Sequence, residues 1–424
     1  MNTILLFGAG KSSTVLIDFL IRSVQQNNWK LIIADSSMDQ ILIKTNNSQF
    51  AEAVELDIRD DEKRGNLIGR STIVISMMPP SLHFLVAKDC VEFRKHLLTA
   101  SYLDEQMKGL EEQIRERKLL FLCEMGLDPG IDHMSAMKII DSIKAEGGRI
   151  SSFRSHCGGL VAPETDDNPW RYKISWNPRN IVTAGHSGAE YKVNGEVKKI
   201  AYPDLFDEAN TISVDGLDPL VFYPNRDSLS YIPLYQLPTA ATFMRTTLRY
   251  PDFFRGWKAV VKAGLTDDGQ LIDTRDLSFA QWSAPVLTYI NKTNRQLLEY
   301  LGLFDDKPVP AGSRTSADII QYLLETRLSM HENDKDMIVM LHELEYSIRG
   351  VQKKILSSLI VKGENMLRTA MAKTVGLPLG IAAELILKGK ITLAGLYIPT
   401  IKEIYEPLLK ELYNFGIRFS EISE

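Results

Sequence analysis

The chain opens on a short apolar run, Thr3–Phe7, that ends in Gly8-Ala9-Gly10 and is followed at helical spacing by Val15, Leu16, Phe19 and Leu20. No other feature constrains the fold as tightly. A continuous apolar run of this length reads as a strand buried on both faces. Glycines between it and a helix permit a tight turn and let backbone approach a charged ligand, whose negative groups the amides at a helix N-terminus stabilise. Ser13 stands where a third glycine would complete the pattern and is small enough to keep helix and strand close. Gly10-Lys11-Ser12 resembles the end of a triphosphate-binding loop, but Leu5 occupies the position where such a loop needs its first glycine.

The alternation continues. Leu31–Ala34 ending at Asp35, Val54–Leu56 ending at Asp57, Thr72–Met77 stopped by Pro79-Pro80, Leu97–Tyr102 and Leu119–Cys123 read as further buried strands, with a charged helix from Asp104 to Lys118. Strands alternating with helices over short connections give a parallel sheet covered on both faces. Residues 1–130 are therefore expected to form a Rossmann-type dinucleotide-binding domain, with Gly8, Ala9, Gly10 and Lys11 at the pyrophosphate. Asp35 and Ser36 close the second strand, where a carboxylate accepts from the adenosine ribose hydroxyls and repels a 2′-phosphate; with Ser37 they would equally make a capped turn. Asp57 and Ile58 follow the third strand, near the adenine or as a plain turn, and Ser76 ends the fourth, where the middle of the cofactor passes. Ligands of open α/β sheets lie beyond the carboxyl ends of the strands. Ser101-Tyr102 and Glu124–Gly130 reach that edge, and there Tyr102 offers a phenol and Asp128, between Leu127 and Pro129, a carboxylate beside the expected nicotinamide.

Beyond residue 130 the pattern changes. Gly126–His133 reads as a turn-rich loop, with Asp132 capping a helix Met134–Ala145. A hairpin is expected at Glu190–Val193, Asn194-Gly195 and Glu196–Ile200. Residues 275–330 look helical, and Met337–Ile348 returns to strand before a turn at Arg349-Gly350. Roughly the last 60 residues look helical, interrupted by Gly376–Gly380 and Pro399. A chain of 424 residues exceeds one ordinary core, so two or three domains are expected. A net charge of −5 with no basic block argues against nucleic acid and against a polybasic membrane anchor. The polar N-terminus and the lack of a long uncharged apolar run suggest neither a signal peptide nor a membrane span. Cys90, Cys123 and Cys157 make neither a disulfide framework nor a metal-ligand pattern, so no metal and a cytoplasmic location are expected.

Several motifs are together distinctive. Glu124–His133, EMGLDPGIDH, closely resembles a segment of the saccharopine reductases, the glutamate-forming saccharopine dehydrogenases of lysine metabolism. Ala100-Ser101-Tyr102, CGGLVAPE at Cys157–Glu164, Asp167-Asn168-Pro169 with Tyr172-Lys173 and Ser175-Trp176, YPNRDS at Tyr223–Ser228 and RTTLRY at Arg245–Tyr250 resemble that family's motifs in the same order, and the similarity continues from Gly376 through Ile417. The resemblance implies an α/β fold of three parts. These are an N-terminal Rossmann-type parallel-sheet domain (1–130, with 390–424 folding back on it), a mixed α/β substrate domain (131–270 and 335–390) and a small helical domain (271–334). It implies an NAD(P)-dependent oxidoreductase of a secondary amine, taking saccharopine, oxidised cofactor and water to glutamate, 2-aminoadipate 6-semialdehyde and reduced cofactor. Tyr102, Asp128 and Cys157 resemble the family's candidates for substrate contact and proton handling, and Ser101, Trp176 and Thr247 its substrate-contacting positions. Saccharopine carries three carboxylates, and Arg226 of YPNRDS is the expected bidentate clamp for one.

Two departures bear on the cofactor and the substrate. Asp35-Ser36-Ser37 stands where fungal members place an arginine for a 2′-phosphate, which leans the expectation for the cofactor, NAD(H) or NADP(H), towards NAD. Thr246 replaces a glycine of RGTLRY in a substrate-side loop. The expected partner is a small amino-acid substrate, with a homodimer left open. Two other readings stand beside this one: a related dehydrogenase for another amine, such as a carboxylated polyamine, and a non-catalytic dinucleotide-binding regulator.

Overall fold

Five apolar runs of the first 130 residues form strands, β1 Thr3–Phe7, β2 Lys30–Asp35, β4 Ile73–Ser76, β5 His96–Thr99 and β6 Leu120–Leu122, and β3 Ala51–Glu55 joins them. The computed structural model describes all 424 residues and divides into two units, Met1–Ser142 with Leu367–Arg418, and Ile143–Met366 with Phe419–Glu424. In the first unit the six strands and a seventh, Gly395–Tyr397, pair in parallel in the order Gly395–Tyr397, β6, β5, β4, β1, β2, β3. Helices α1 Thr14–Asn27, α2 Met38–Thr45, α3 Asp61–Arg70 and α4 His83–Glu92 make the crossovers. The chain runs outward from β1 through β2 to β3, then returns to the other side of β1 for β4. That reversal puts the crevice for a ligand beyond the carboxyl ends of β1 and β4. β1 and β4 are buried along their whole length, as their unbroken apolar sequences require.

Three local expectations differ. The third strand is Ala51–Glu55 rather than Val54–Leu56; it is the sheet edge, half-exposed and held by backbone pairing to Leu31–Asp35, so apolar content does not locate it. The charged helix splits at Gly109-Leu110 into Glu105–Lys108 and Glu111–Glu116. The helix after the sixth strand starts at Ile131, so Asp132 lies inside its first turn instead of capping it, and its Oδ1 accepts from the Gly130 N–H at 2.6 Å.

The domain boundaries also move. Gly376–Gly380 does not interrupt the C-terminal helix, which runs unbroken from Ala370 to Leu387 with Pro378 inside it. Its glycines face α1 at close range: a Cβ on Gly376 would stand 2.9 Å from Leu16 Cβ, and one on Gly380 2.6 Å from Phe19 Cδ1. By length and composition this helix could cross a bilayer, but most of it is buried within the first unit. That packing draws Leu367–Arg418 into the first unit, where 390–424 was expected, and the division after the sheet falls at Ser142 instead of 130.

The second unit is built on one mixed sheet. Its strands are β7 Arg149–Val161, β8 Ala189–Val193, β9 Glu196–Ile200, β10 Asn210–Ile212, β11 Leu220–Pro224, β12 Arg226–Asp227, β13 Thr242–Arg249, β14 Asp336–Ile348 and β15 Val351–Lys362, closed by Ser420–Ser423. The main order is β10, β11, β13, β7, β14, β15, Ser420–Ser423. The expected hairpin is β8–β9, with Asn194 and Gly195 both at positive φ, and Arg349-Gly350 turns β14 into β15 in the same way. Residues 271–334 are mainly helical, as expected, and their apolar side chains join a core with Trp170, Tyr172, Trp257 and Phe254 within this unit.

Candidate active site

The turn after β1 has the form a phosphate needs. Gly8 sits at φ +101°, and a Cβ there would lie 2.9 Å from the Met77 carbonyl, so only glycine fits. Nothing comes within 4 Å of where a Gly10 Cβ would point, and the helix that follows leaves its first amides without intrahelical acceptors. A small cradle next to a helix start is therefore open to an anion, and the residues present fit the pyrophosphate of a dinucleotide. Lys11 is exposed, and Ser13 is buried with its hydroxyl donating to Gly10 O at 2.7 Å.

Asp35 does more here than end a strand. Its Oδ2 accepts from the Ala9 N–H at 2.7 Å and its Oδ1 from the Ser37 N–H at 2.9 Å, so it clamps the glycine turn while making its own capped turn. Lys44 of α2, not foreseen from sequence, is 7% exposed and donates to the Gly10 carbonyl and, at 3.3 Å, to Ser13 Oγ. Burial pulls its ammonium down to about 8, against the pull of Asp35. Asp57 is exposed and accepts from the Arg59 N–H at 2.9 Å, a turn carboxylate, while Ile58 is buried and its carbonyl accepts from Arg64.

At the next strand ends, the segment Glu124–Gly130 is tied down backbone to backbone: Glu124 N–H donates to Ser101 O at 3.0 Å and Met125 N–H to Thr99 O at 3.0 Å. Gly130, at φ +146°, closes it so tightly that a Cβ would fall 2.1 Å from Gly126 O. This places Asp128 opposite Tyr102, whose hydroxyl donates to Asp128 Oδ1 at 3.4 Å. Both are partly exposed, while Leu127 and Pro129 are buried on either side. Behind them Glu124 is buried, accepting from the Leu103 N–H through Oε1 (3.0 Å) and meeting His133 Nε2 through Oε2 (2.8 Å). Sequence reading assigned neither Glu124 nor His133 a role, although both lie in the quoted motif.

A second missed group joins Ser76 to Ser101. His83, the first residue of α4, is 4% exposed; its Nδ1 is 2.8 Å from Ser76 Oγ and its Nε2 is 2.8 Å from Ser101 Oγ. Burial pushes its imidazole down to about 4, with Asp104 opposing, so the ring is neutral in ordinary buffers. A lone histidine shortly after Pro79-Pro80 was the available signal, and a single histidine among apolar residues gives no partner by which to assign it a role.

The second unit gathers the other expected residues. Cys157 on β7 and Tyr223 on β11 both lie in register with Thr247 on β13, so the three stand side by side on adjacent strands. Trp176 Nε1–H donates to Tyr172 OH at 3.2 Å, and Tyr172 lies against Arg249, two residues beyond Thr247. Arg226, exposed and at φ 51°, begins β12; Asn225 before it donates its N–H to Arg245 O at 2.9 Å, which pins this corner to β13.

Two family models match the chain: the saccharopine dehydrogenase NADP binding domain over residues 4–122 and the saccharopine dehydrogenase C-terminal domain over residues 126–417. An Arabidopsis thaliana alpha-aminoadipic semialdehyde synthase is 32% identical over 99% of the chain and 45% of its own length. The chain thus spans about half the length of this and the similar mammalian relatives. Saccharopine dehydrogenase [NADP(+), L-glutamate-forming] of Saccharomyces cerevisiae is 32% identical over 99% of each chain. The apo structure of the yeast saccharopine dehydrogenase (L-Glu forming) superposes with a TM-score of 0.88 at 30% identity, covering 100% of both chains. These likenesses support a nicotinamide dinucleotide as cofactor and lend nothing to the lean towards NAD. Asp35, on which that lean rested, has both carboxylate oxygens engaged by backbone amides, those of Ala9 and Ser37.

Proposed function

The chain belongs to the saccharopine dehydrogenase family, and from that premise we propose that it interconverts saccharopine with glutamate and 2-aminoadipate 6-semialdehyde using NADP(H). The observation that carries this reading is one sheet edge bearing both a dinucleotide-type glycine turn, at Gly8–Gly10, and a phenol–carboxylate pair, Tyr102 and Asp128. NADP is preferred because the fungal relatives that match end to end are named for NADP(+) and the matching domain model is one for NADP binding. The clamped Asp35 fits that choice, since its charge is offset by nearby Lys44.

When bound, the nicotinamide accepts or supplies the hydride. The chain's own residues do the rest. Forming and breaking an imine requires protons to move on nitrogen and on water, and a positioned side chain lowers that barrier. Tyr102 and Asp128 share one hydrogen bond and together hold a proton that can be passed to the substrate nitrogen. Ser101 supplies a hydroxyl to the polar substrate, and the family resemblance makes Cys157, Thr247 and Trp176 further candidates for substrate contact. Arg226 binds a carboxylate through its planar fork.

The test follows NADPH formation from saccharopine and NADP+ at alkaline pH, for the wild type and for Arg226→Ala. Loss of one charge-assisted pair is worth about 1.5–3 kcal/mol, so the saccharopine KM should rise about 10- to 100-fold. Dinucleotide affinity should hardly change. A wild type that leaves saccharopine untouched, or that uses NAD+ far better than NADP+, would overturn the corresponding part of the reading.

A further inference from the structure

The Ser76 hydroxyl is fully buried, and His83 Nδ1 at 2.8 Å is its partner. A buried O–H needs an acceptor. A neutral imidazole has one acceptor nitrogen and one donor, so if Nδ1 accepts from Ser76, Nε2 must carry the hydrogen. The group within 2.8 Å of Nε2 is Ser101 Oγ. Thr99 Oγ1, 3.2 Å from Nε2, accepts the Ser101 N–H at 3.3 Å and steadies the same residue from its backbone.

We propose that His83 is a positioning residue: protonated on Nε2, it donates to Ser101 and so leaves the Ser101 hydroxyl hydrogen to be given to a carboxylate of the substrate. The direction of one hydrogen at the substrate edge is thereby set from inside the sheet, by a ring that touches neither substrate nor solvent. Ser76, Thr99 and Ser101 come from the ends of two adjacent strands, β4 and β5, and His83 from the first turn of the helix that connects them. The burial that keeps the ring neutral is what gives the relay one polarity; a charged ring would donate at both ends and leave the Ser76 hydroxyl without an acceptor. The carboxylate role of Ser101 rests on the function proposed above, whereas the tautomer does not.

Two measurements separate these. Nitrogen-15 NMR of histidine-labelled protein should show His83 with Nδ1 unprotonated and Nε2 protonated; the opposite tautomer or a charged ring near neutral pH overturns the proposal, whatever the enzyme acts on. The second compares His83→Gln, which keeps an N–H donor near the Nε2 position, with His83→Asn, which reaches only towards Ser76. His83→Asn should lower kcat/KM for saccharopine about 10- to 100-fold, the worth of one hydrogen bond to a charged group, and His83→Gln should restore most of it. Adding Ser101→Ala to His83→Asn should cost little more, since both act through one hydroxyl. Dinucleotide binding serves as the check that each variant is folded. Equal losses in the Gln and Asn variants, or fully additive losses in the double variant, sink the idea. A wild type inactive on saccharopine removes the functional reading and leaves the NMR result to decide His83.

Discussion

Lys44 shows how one buried cation can tune a binding turn. Its ammonium is held at about 8 where an exposed lysine sits at 10.5, a gap corresponding to about 3 kcal/mol. The folded chain gives up this proton before the unfolded chain does, so stability gained from the neutral form is fully present above pH 10.5 and is lost as pH falls through 8. A bound pyrophosphate at the adjacent glycine turn reverses the preference by favouring the charged form. NADP+ affinity should therefore fall as pH rises through 8, with proton uptake on binding near pH 8.5. Calorimetric titration in buffers of different ionisation enthalpy measures that uptake. In Lys44→Met it should vanish and binding weaken at pH 7; a wild type whose affinity is flat from pH 7 to 9.5 would show that Lys44 does not sense the ligand. The sequence made Gly8, Gly10, Tyr102 and Asp128 legible because turn chemistry and motif act locally. Lys44 and His83 were hidden because their partners, Gly10 and Ser101, lie 34 and 18 residues away. The two readings left open for Asp35 turned on the same kind of distance: the Ala9 amide that occupies it is 26 residues upstream.

Among elements, the pairing of α1 with the helix Ala370–Leu387 most directly links packing to the cofactor turn. A Cβ on Gly376 would stand 3.0 Å from the backbone nitrogen of Leu16 and 2.9 Å from its Cβ, and Leu16 lies in the first turn of the helix that starts at the glycine cradle. Gly376→Ala in an isolated helix would gain about 1 kcal/mol in propensity. Here the new methyl meets backbone, which cannot turn aside as a side-chain tip can, and overpacking of this kind costs about 1–3 kcal/mol. The clash should win, lowering the urea midpoint, and by shifting the start of α1 it should also weaken dinucleotide binding. An Ala variant as stable as the wild type, with unchanged affinity, would mean the two helices do not lie this close. From sequence, Gly376–Gly380 with Pro378 reads as an interruption, because propensity alone penalises all three residues. Tertiary contact overrides it. The buried strands β1, β2 and β4 were read correctly because an unbroken apolar run has few other homes, whereas the edge strand β3, half-exposed, carried no such mark.

At the scale of the whole molecule the chain leaves its first unit at Ser142 and returns to it at Leu367. No local pattern announces that return; the strand Gly395–Tyr397 is three residues long, and only its parallel register with β6 shows that it completes the sheet. Resemblance gave the fold-back but set its start some 20 residues late, since the helix that begins it looked broken. The discontinuity has a measurable consequence. A ligand that binds the folded first unit stabilises it by RT ln(1 + [L]/Kd), about 2.7 kcal/mol at a hundredfold excess over Kd. Because Leu367–Arg418 packs as part of that unit, NADP+ alone should slow amide exchange in both stretches together, Met1–Ser142 and Leu367–Arg418, although more than 200 residues separate them in sequence. Exchange through the sheet β7–β15 should respond less, since its hydrogen bonds open with a core of their own. Hydrogen exchange read by mass spectrometry would decide this. If Met1–Ser142 were protected while Ala370–Leu387 exchanged as before, the C-terminal helix would not be part of the dinucleotide-binding unit, and the Gly376 contact with α1 would lose its place in the account of binding.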